Sequence, residues 1–253
     1  MSPPVVVRPA RSGEGPPSIP AGLLPGHVAV VLDGNGRWAT DRGLTRTDGH
    51  RAGVKAVLEL VDGALALGLS HLSVFAFSTE NWRRDAGEVG EVMRLISAFA
   101  TDHGPWLDEQ GVRVTWSGGR GRLATTMLDN IDALQSRTAG NTRLTLTVWI
   151  DYGARDELWQ AARQIAIDSA AGRLDPELID ARTFGSYLYR PDLPDVDLFL
   201  RTSGEQRLSN FLLWQSAYAE LMFTDTLWPD FDRHDLWAAV VDYSRRHRRF
   251  GGH

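Results

Sequence analysis

The 253-residue chain has no cysteine, which excludes disulfides, thiol nucleophiles and cysteine-ligated metal sites together. That composition suits a cytoplasmic protein. Lysine is nearly absent as well: Lys55 stands alone, so Schiff-base chemistry is a poor fit and anion binding falls to arginine. No apolar run approaches the ~18 residues that a membrane span needs, and Val5–Val7 is far too short for the core of a signal peptide. There is no GxxxxGK[ST] element, which removes a P-loop nucleotide site. A net charge of −5 argues against a nucleic-acid partner, although Arg245–Arg249 is locally basic.

What remains is an ordinary globular composition, 43% hydrophobic and 23% charged, in a chain long enough for a sizeable core. Residues 1–26 are rich in Pro, Gly and Ser and read as a disordered N-terminal tail. From His27, short apolar runs alternate with helical periodicity. Strands are expected at Val28–Leu32, Leu72–Phe77, Val112–Trp116, Leu144–Ile150, Val196–Leu200 and Leu221–Phe223. Helices are expected between them: one ending at Gly68, one broken near Gly104-Pro105, one over Phe211–Leu221 and a last one over His234–His247. The fold class is therefore α/β, a single domain whose central, mostly parallel sheet of about six strands is covered by helices on both sides.

The first strand sets up the chemistry. It ends at Asp33 and opens into Gly34-Asn35-Gly36, where the backbone can approach an anion closely, with Arg37 following as a forked cationic ligand. Taken alone, DGNG reads more readily as a capped strand-turn-helix corner than as a phosphate cradle. An acid beside such a cradle makes chemical sense when a hard cation such as Mg²⁺ lies between it and the phosphate. Other polar clusters follow the later strands: Ser78 and Asn81 after the second, Arg201, Arg207 and Ser209 after the fifth, with Glu220 and Arg46 elsewhere. Two carboxylates with four arginines suit a metal-bridged substrate bearing two diphosphates.

The stretches HVAVVLDGNGRWA, GLTRTDGHRAG, FAFSTENWRR, DYGAR, DLFLRTSGEQRLSNFLLWQSAYAELMFTDTLWPDF and RRHRRFGG, spanning residues 27–251, resemble the cis-prenyltransferases, the undecaprenyl diphosphate synthase family. The DDxxD motif of trans-prenyltransferases is absent. The resemblance implies a catalytic domain over residues 27–253, a Mg²⁺-dependent homodimer that condenses an allylic diphosphate with isopentenyl diphosphate, and an apolar tunnel between sheet and helices. It places Gly34, Asn35, Gly36, Arg37, Trp38, Arg46 and His50 on the allylic diphosphate, and Arg201, Arg207 and Ser209 on the isopentenyl diphosphate. Asp33 and Glu220 become the metal ligands. Asp33, Asn35, Ser78 and Asn81 become the catalytic set, and Ser78, Asn81, Trp82 and Arg84 fall on a closing loop. Arg249 and Gly251 form a C-terminal element that reaches the partner subunit's site. In isolation His50 reads as a helix-start histidine bonded to backbone. Membrane contact is expected to be peripheral at most.

Four positions depart from the commonest family pattern: Gln206 stands in place of His, Asp151 of Asn, Ala154 of Gly and Gly119 of Asp. None removes a diphosphate or metal ligand. The same scaffold hosts irregular terpenoid coupling or cyclising enzymes and non-catalytic partner subunits, which are the alternatives. Ile150, with Met93 and Ile96, is expected to limit tunnel depth.

Overall fold

In the computed structural model, residues 15–246 are described. Six strands, β1 (His27–Val31), β2 (His71–Ser78), β3 (Val112–Ser117), β4 (Leu144–Tyr152), β5 (Leu198–Arg201) and β6 (Glu220–Phe223), form one sheet in the order β3-β4-β2-β1-β5-β6. Every pairing is parallel. The helices are α1 (Asn35–Thr40), α2 (Arg46–Leu67), α3 (Ala86–Glu109), α4 (Thr125–Thr138), α5 (Ala154–Ala170), α6 (Ala181–Gly185) and α7 (Arg233–Ser244).

Alternation along β1 shows why the sheet is covered on both sides. Val28 and Val30 enter a core with Leu60 and Ala64 of α2 and Leu236 and Val240 of α7. Ala29 and Val31 face the opposite way, toward Phe199, Phe211 and Trp149. A strand buried on both faces reads as a continuous apolar run, and HVAVV is one. Strand order reverses at β1: β2 lies on one side of it and β5 returns to the other. The carboxyl ends of β1 and β5 thus flank a topological switch point, where ligands of open α/β sheets gather.

Two expected elements differ. α3 runs unbroken through Pro105. Proline forfeits the bond to the Thr101 carbonyl, but burial of Gly104 and Leu107 on either side keeps the helix in line. Phe211–Leu221 is not a helix but a series of turns followed by β6. Ser209, Asn210 and Leu212 hold left-handed backbone (φ 50°, 62° and 46°), which stops helical propagation while burying Phe211 and Leu212 under the sheet. Of the expected tail, residues 1–14 lie outside the described residues; Ile19 and Leu24 pack against the core, with a 3-10 turn at Ala21–Leu23 between them.

Candidate active site

α1 starts directly after Asp33 and Gly34. Gly34 has φ 109°, a conformation that L side chains rarely adopt, and a Cβ there would lie 3.0 Å from Leu227 Cδ2 and 3.1 Å from Ser203 Cβ. α1 then rests on α2 because Gly49 and Gly53 leave no side chain in the way. A Cβ on Gly49 would lie 2.1 Å from the Asn35 carbonyl oxygen, and one on Gly53 2.4 Å from Asn35 Oδ1. The first-turn amides of α1 have no intrahelical acceptor, so the helix presents N–H groups beside Asp33.

Across the switch point, Arg201 at the end of β5 is buried, with 4% of its side chain exposed, whereas Asp33 is 32% exposed. Arg201 Nη2 donates to Asp33 Oδ2 at 2.7 Å, and Nη1 donates to the Arg207 carbonyl at 2.8 Å and to Ser209 Oγ. Thr202 fixes the neighbouring backbone: its hydroxyl accepts from Asp33 N at 2.9 Å and donates to Asp33 O at 2.6 Å. One guanidinium therefore ties the β1 corner to the loop after β5.

Two further acids organise the remaining cations. Glu205 pairs with Arg37 at 3.6 Å and with Arg207, while Arg37 also donates to the Ser203 carbonyl at 2.8 Å. Glu88, at the start of α3, meets Arg46 at 3.3 Å, His50 Nε2 at 3.5 Å and Arg84 at 3.0 Å. Burial pushes the His50 pKa below its ordinary value; Glu88 opposes that shift without reversing it. The 3-10 turn Thr79–Arg83 after β2 is closed by Asn81 Oδ1, which accepts from Ser78 N at 3.0 Å.

These groups surround a cavity of ≈ 860 Å³ whose mouth carries Asp33, Arg37, Arg46, His50, Ser78, Asn81, Arg84, Arg201, Arg207 and Ser209. Its deeper wall is apolar: Val54 and Val57 of α2, Val74 of β2, Val92, Leu95, Ile96 and Phe99 of α3, and Val148 of β4. A charged mouth over an apolar pocket fits an amphiphile with an anionic head.

Residues 31–251 match the family model described as "Putative undecaprenyl diphosphate synthase". The chain belongs to this cis-prenyltransferase family. It is 51% identical over 249 residues to a trans,polycis-polyprenyl diphosphate synthase, (2Z,6E)-farnesyl diphosphate specific, of Thermobifida fusca, covering 98% of this chain and 88% of the relative. It is 51% identical over 231 residues to a decaprenyl diphosphate synthase of Mycobacterium bovis, covering 91% of this chain and 78% of the relative. The crystal structure of a lavandulyl diphosphate synthase from Lavandula x intermedia, in complex with dimethylallyl diphosphate, superposes with a TM-score of 0.88 at 35% identity, covering 91% of this chain and 99% of that one. As a cis-prenyltransferase, the chain is an enzyme that transfers prenyl groups. Among the described residues no helix is long and apolar enough to cross a membrane.

Of the residues singled out from the cis-prenyltransferase motifs, Asp33, Gly34, Asn35, Gly36, Arg37, Arg46, His50, Ser78, Asn81, Arg84, Arg201, Arg207 and Ser209 all line the cavity. Trp38 does not: its indole N–H donates to Asp230 at 2.6 Å and Arg42 stacks on its ring at 4.3 Å, so it packs along the outside of α1. Nor does Trp82, whose indole N–H turns to Asp151 at 2.8 Å. Glu220 is not brought to Asp33 within one chain. As the first residue of β6 it pairs with Leu198, level with Val28, at the amino end of the sheet, and it bonds Arg246 at 2.8 Å. Strand rise and spacing put it roughly 19 Å from Asp33. Ile150 and Met93 do not line the cavity; they pack with Phe77, Trp116 and Met127 in the cluster behind Val92, Ile96 and Val148, which do line it. Arg249 and Gly251 lie outside the described residues. Glu88, Glu205 and Thr202 went unread in the sequence. Two acids among so many arginines were the available signal for the first two.

Proposed function

We propose that this chain condenses an allylic diphosphate with isopentenyl diphosphate, one or more times, to give a Z-polyprenyl diphosphate. The reading is carried by the contact of Asp33 with Arg201, which sets two cation-rich half-sites side by side over one apolar cavity. The Gly34–Gly36 amides, Arg37, Arg46 and His50 hold the allylic diphosphate; Arg201, Arg207 and Ser209 hold the isopentenyl one. Glu205 pairs with Arg37 and Arg207 and Glu88 with Arg46, and substrate phosphates compete for the same guanidinium groups.

Among the described residues no group of three His, Cys, Asp or Glu is placed to hold a metal. Asp33 nevertheless suits Mg²⁺, which is commonly held by one carboxylate together with phosphate oxygens and water. When bound, Mg²⁺ would neutralise charge on the departing diphosphate.

The reaction breaks the allylic C–O bond, with its electron pair going to diphosphate oxygen. Arg37, Arg46 and the α1 amides stabilise that developing charge. The isopentenyl double bond, held close by Arg201 and Arg207, forms the new C–C bond, and loss of a proton creates the new double bond. The proton passes to the departing diphosphate or to the neighbourhood of Asn35, Ser78 and Asn81. Asn35 Oδ1 is buried there without a hydrogen-bond partner.

A homodimer is part of the proposal. β6 is an edge strand that carries the exposed Leu221 and follows the exposed Tyr218, and Glu220 can serve a metal at Asp33 only from a second chain. Arg249 and Gly251 are assigned to the same cross-subunit role. The enzyme is placed in the cytoplasm, with at most peripheral membrane contact through its lipid product. Incubation with labelled isopentenyl diphosphate, Mg²⁺ and a series of allylic primers tests the reading. A lipid product lengthened by whole isoprene units is expected; no incorporation with any primer overturns it.

A further inference from the structure

Trp82 leaves the cavity to meet a buried acid, and that contact closes a three-membered cluster. Asp151, 4% exposed, is the next-to-last residue of β4 and holds left-handed backbone with φ 54°. Its Oδ1 accepts from Trp82 Nε1 at 2.8 Å and from Arg122 Nη2, while its Oδ2 accepts from Arg122 Nε at 3.1 Å. The Arg122 guanidinium lies 5.1 Å from the centre of the Trp82 ring, so each of the three groups touches the other two. Trp82 also meets Phe77 edge-on at 5.1 Å.

The turn that carries Trp82 supplies Asn81 to the cavity mouth, with Ser78 and Arg84 on either side of it. Its other side is held by Glu80, which accepts from Asn210 Nδ2 at 2.9 Å. Two polar contacts from different strand ends therefore fix one short turn. Only one of them carries a buried charge: Asp151 is held by a fork from Arg122, an interaction that resists displacement.

We infer that Asp151 is a positioning residue for prenyl transfer: with Arg122 it latches the Trp82 indole and thereby sets Ser78, Asn81 and Arg84 against the substrates. The inference rests on the prenyl-transfer reading. The latch has a geometric signature that can be moved. Gly119 faces Asp151 so closely that a Cβ there would lie 2.6 Å from Asp151 Oδ2. A carboxylate placed at residue 119 therefore competes for the same small volume and, by displacing the uncharged head group of Asp151→Asn, serves Arg122 in place of the original.

The experiment compares Asp151→Asn, Gly119→Asp and the double variant by steady-state kinetics and by the Trp82 indole N–H resonance, assigned with Trp82→Phe. Asparagine tolerates left-handed backbone, so Asp151→Asn removes charge while keeping the turn. Its kcat is expected to fall about tenfold with each KM changed less than about twofold, the mark of misplaced groups rather than lost binding. The indole resonance is expected to move. Adding Gly119→Asp to Asp151→Asn restores both, whereas Gly119→Asp alone sets two acids together and lowers kcat. Arg122→Leu, at a half-exposed position, reads the same latch should Asp151→Asn fold poorly. Wild-type kcat in Asp151→Asn or in Arg122→Leu, an unmoved indole signal, or no recovery in the double variant overturns the inference. The resonance is read without turnover, so an inactive wild type with a moving indole signal faults the prenyl-transfer reading, not the latch.

Discussion

Arg201 Nη2 donates to Asp33 Oδ2 at 2.7 Å, joining the ends of two adjacent parallel strands that are 168 residues apart in sequence. The same guanidinium holds Ser209 and the Arg207 carbonyl, so three donor directions are used at once. Arg201→Lys keeps the charge and loses the fork. It is expected to cost about 1–3 kcal/mol in stability and to raise the isopentenyl diphosphate KM at least about tenfold. Denaturant titration and initial-rate kinetics measure the two effects. An unchanged KM would detach Arg201 from the second diphosphate.

Chain length offers a second test, because of Ile150, Met93 and Ile96, to which the sequence pattern points, only Ile96 lines the cavity. Phe99 and Leu95 line the apolar part, while Ile150 is buried in the cluster behind it. Phe99→Ala is expected to lengthen the extracted products. Ile150→Ala is expected to leave length unchanged and cost about 2–4 kcal/mol as a buried cavity. Longer products from Ile150→Ala alone would reverse this assignment.

The site was legible wherever one strand's end carries its own chemistry. Val28–Leu32 reads as a buried parallel strand because both faces are apolar, so Asp33 falls at its carboxyl end by necessity. Arg201 follows by the same logic. Glu220 shows what that logic misses: it also borders a short apolar run, but it begins the strand, and parallel register sends it to the other edge. Trp38 and Trp82 were recognisable as residues of the right stretches, yet their directions depend on Asp230 and Asp151, distant acids that no local pattern announces. The turns over residues 209–219 escaped because the apolar run Phe211-Leu212-Leu213 is compatible with a buried helix, while left-handed backbone at Ser209, Asn210 and Leu212 forbids one.

Burial lowers the pKa of His27, His50 and His71, so each contributes to acid sensitivity, and His27 is the most deeply buried of the three. His27 is fully buried; it donates from Nδ1 to the Pro194 carbonyl at 2.8 Å, with Nε2 2.8 Å from Ser73 Oγ, and burial lowers its pKa to about 4. Unfolded, it titrates near 6.5. Between these values the unfolded chain binds a proton that the fold refuses, so stability falls as pH drops from about 6.5 to about 4, by on the order of 3 kcal/mol. Asp235, raised by burial to about 6, works in the opposite direction. The difference between wild type and His27→Gln therefore isolates the histidine: the variant's melting temperature is expected to depend less on pH across that window. Parallel curves would refute it.

Subunit sharing can be tested with mixed dimers. Asp33→Ala and Glu220→Ala chains, each inactive alone, are expected to regain part of the activity when co-expressed, since one site of each mixed dimer then has both carboxylates. Failure to regain activity in verified mixed dimers would remove Glu220 from the metal site.

The most direct test of the central claim is incorporation of labelled isopentenyl diphosphate by Asp33→Ala beside wild type, at saturating Mg²⁺ and allylic primer. Asp33 is one-third exposed at the cavity mouth, so the variant is expected to keep the fold, at a stability cost from leaving the buried Arg201 guanidinium without its carboxylate. Incorporation at least about 1,000-fold below wild type, with an unchanged circular dichroism spectrum, is the result that follows from a metal-bridged pair of diphosphate sites at Asp33. Near-wild-type incorporation by Asp33→Ala would contradict it.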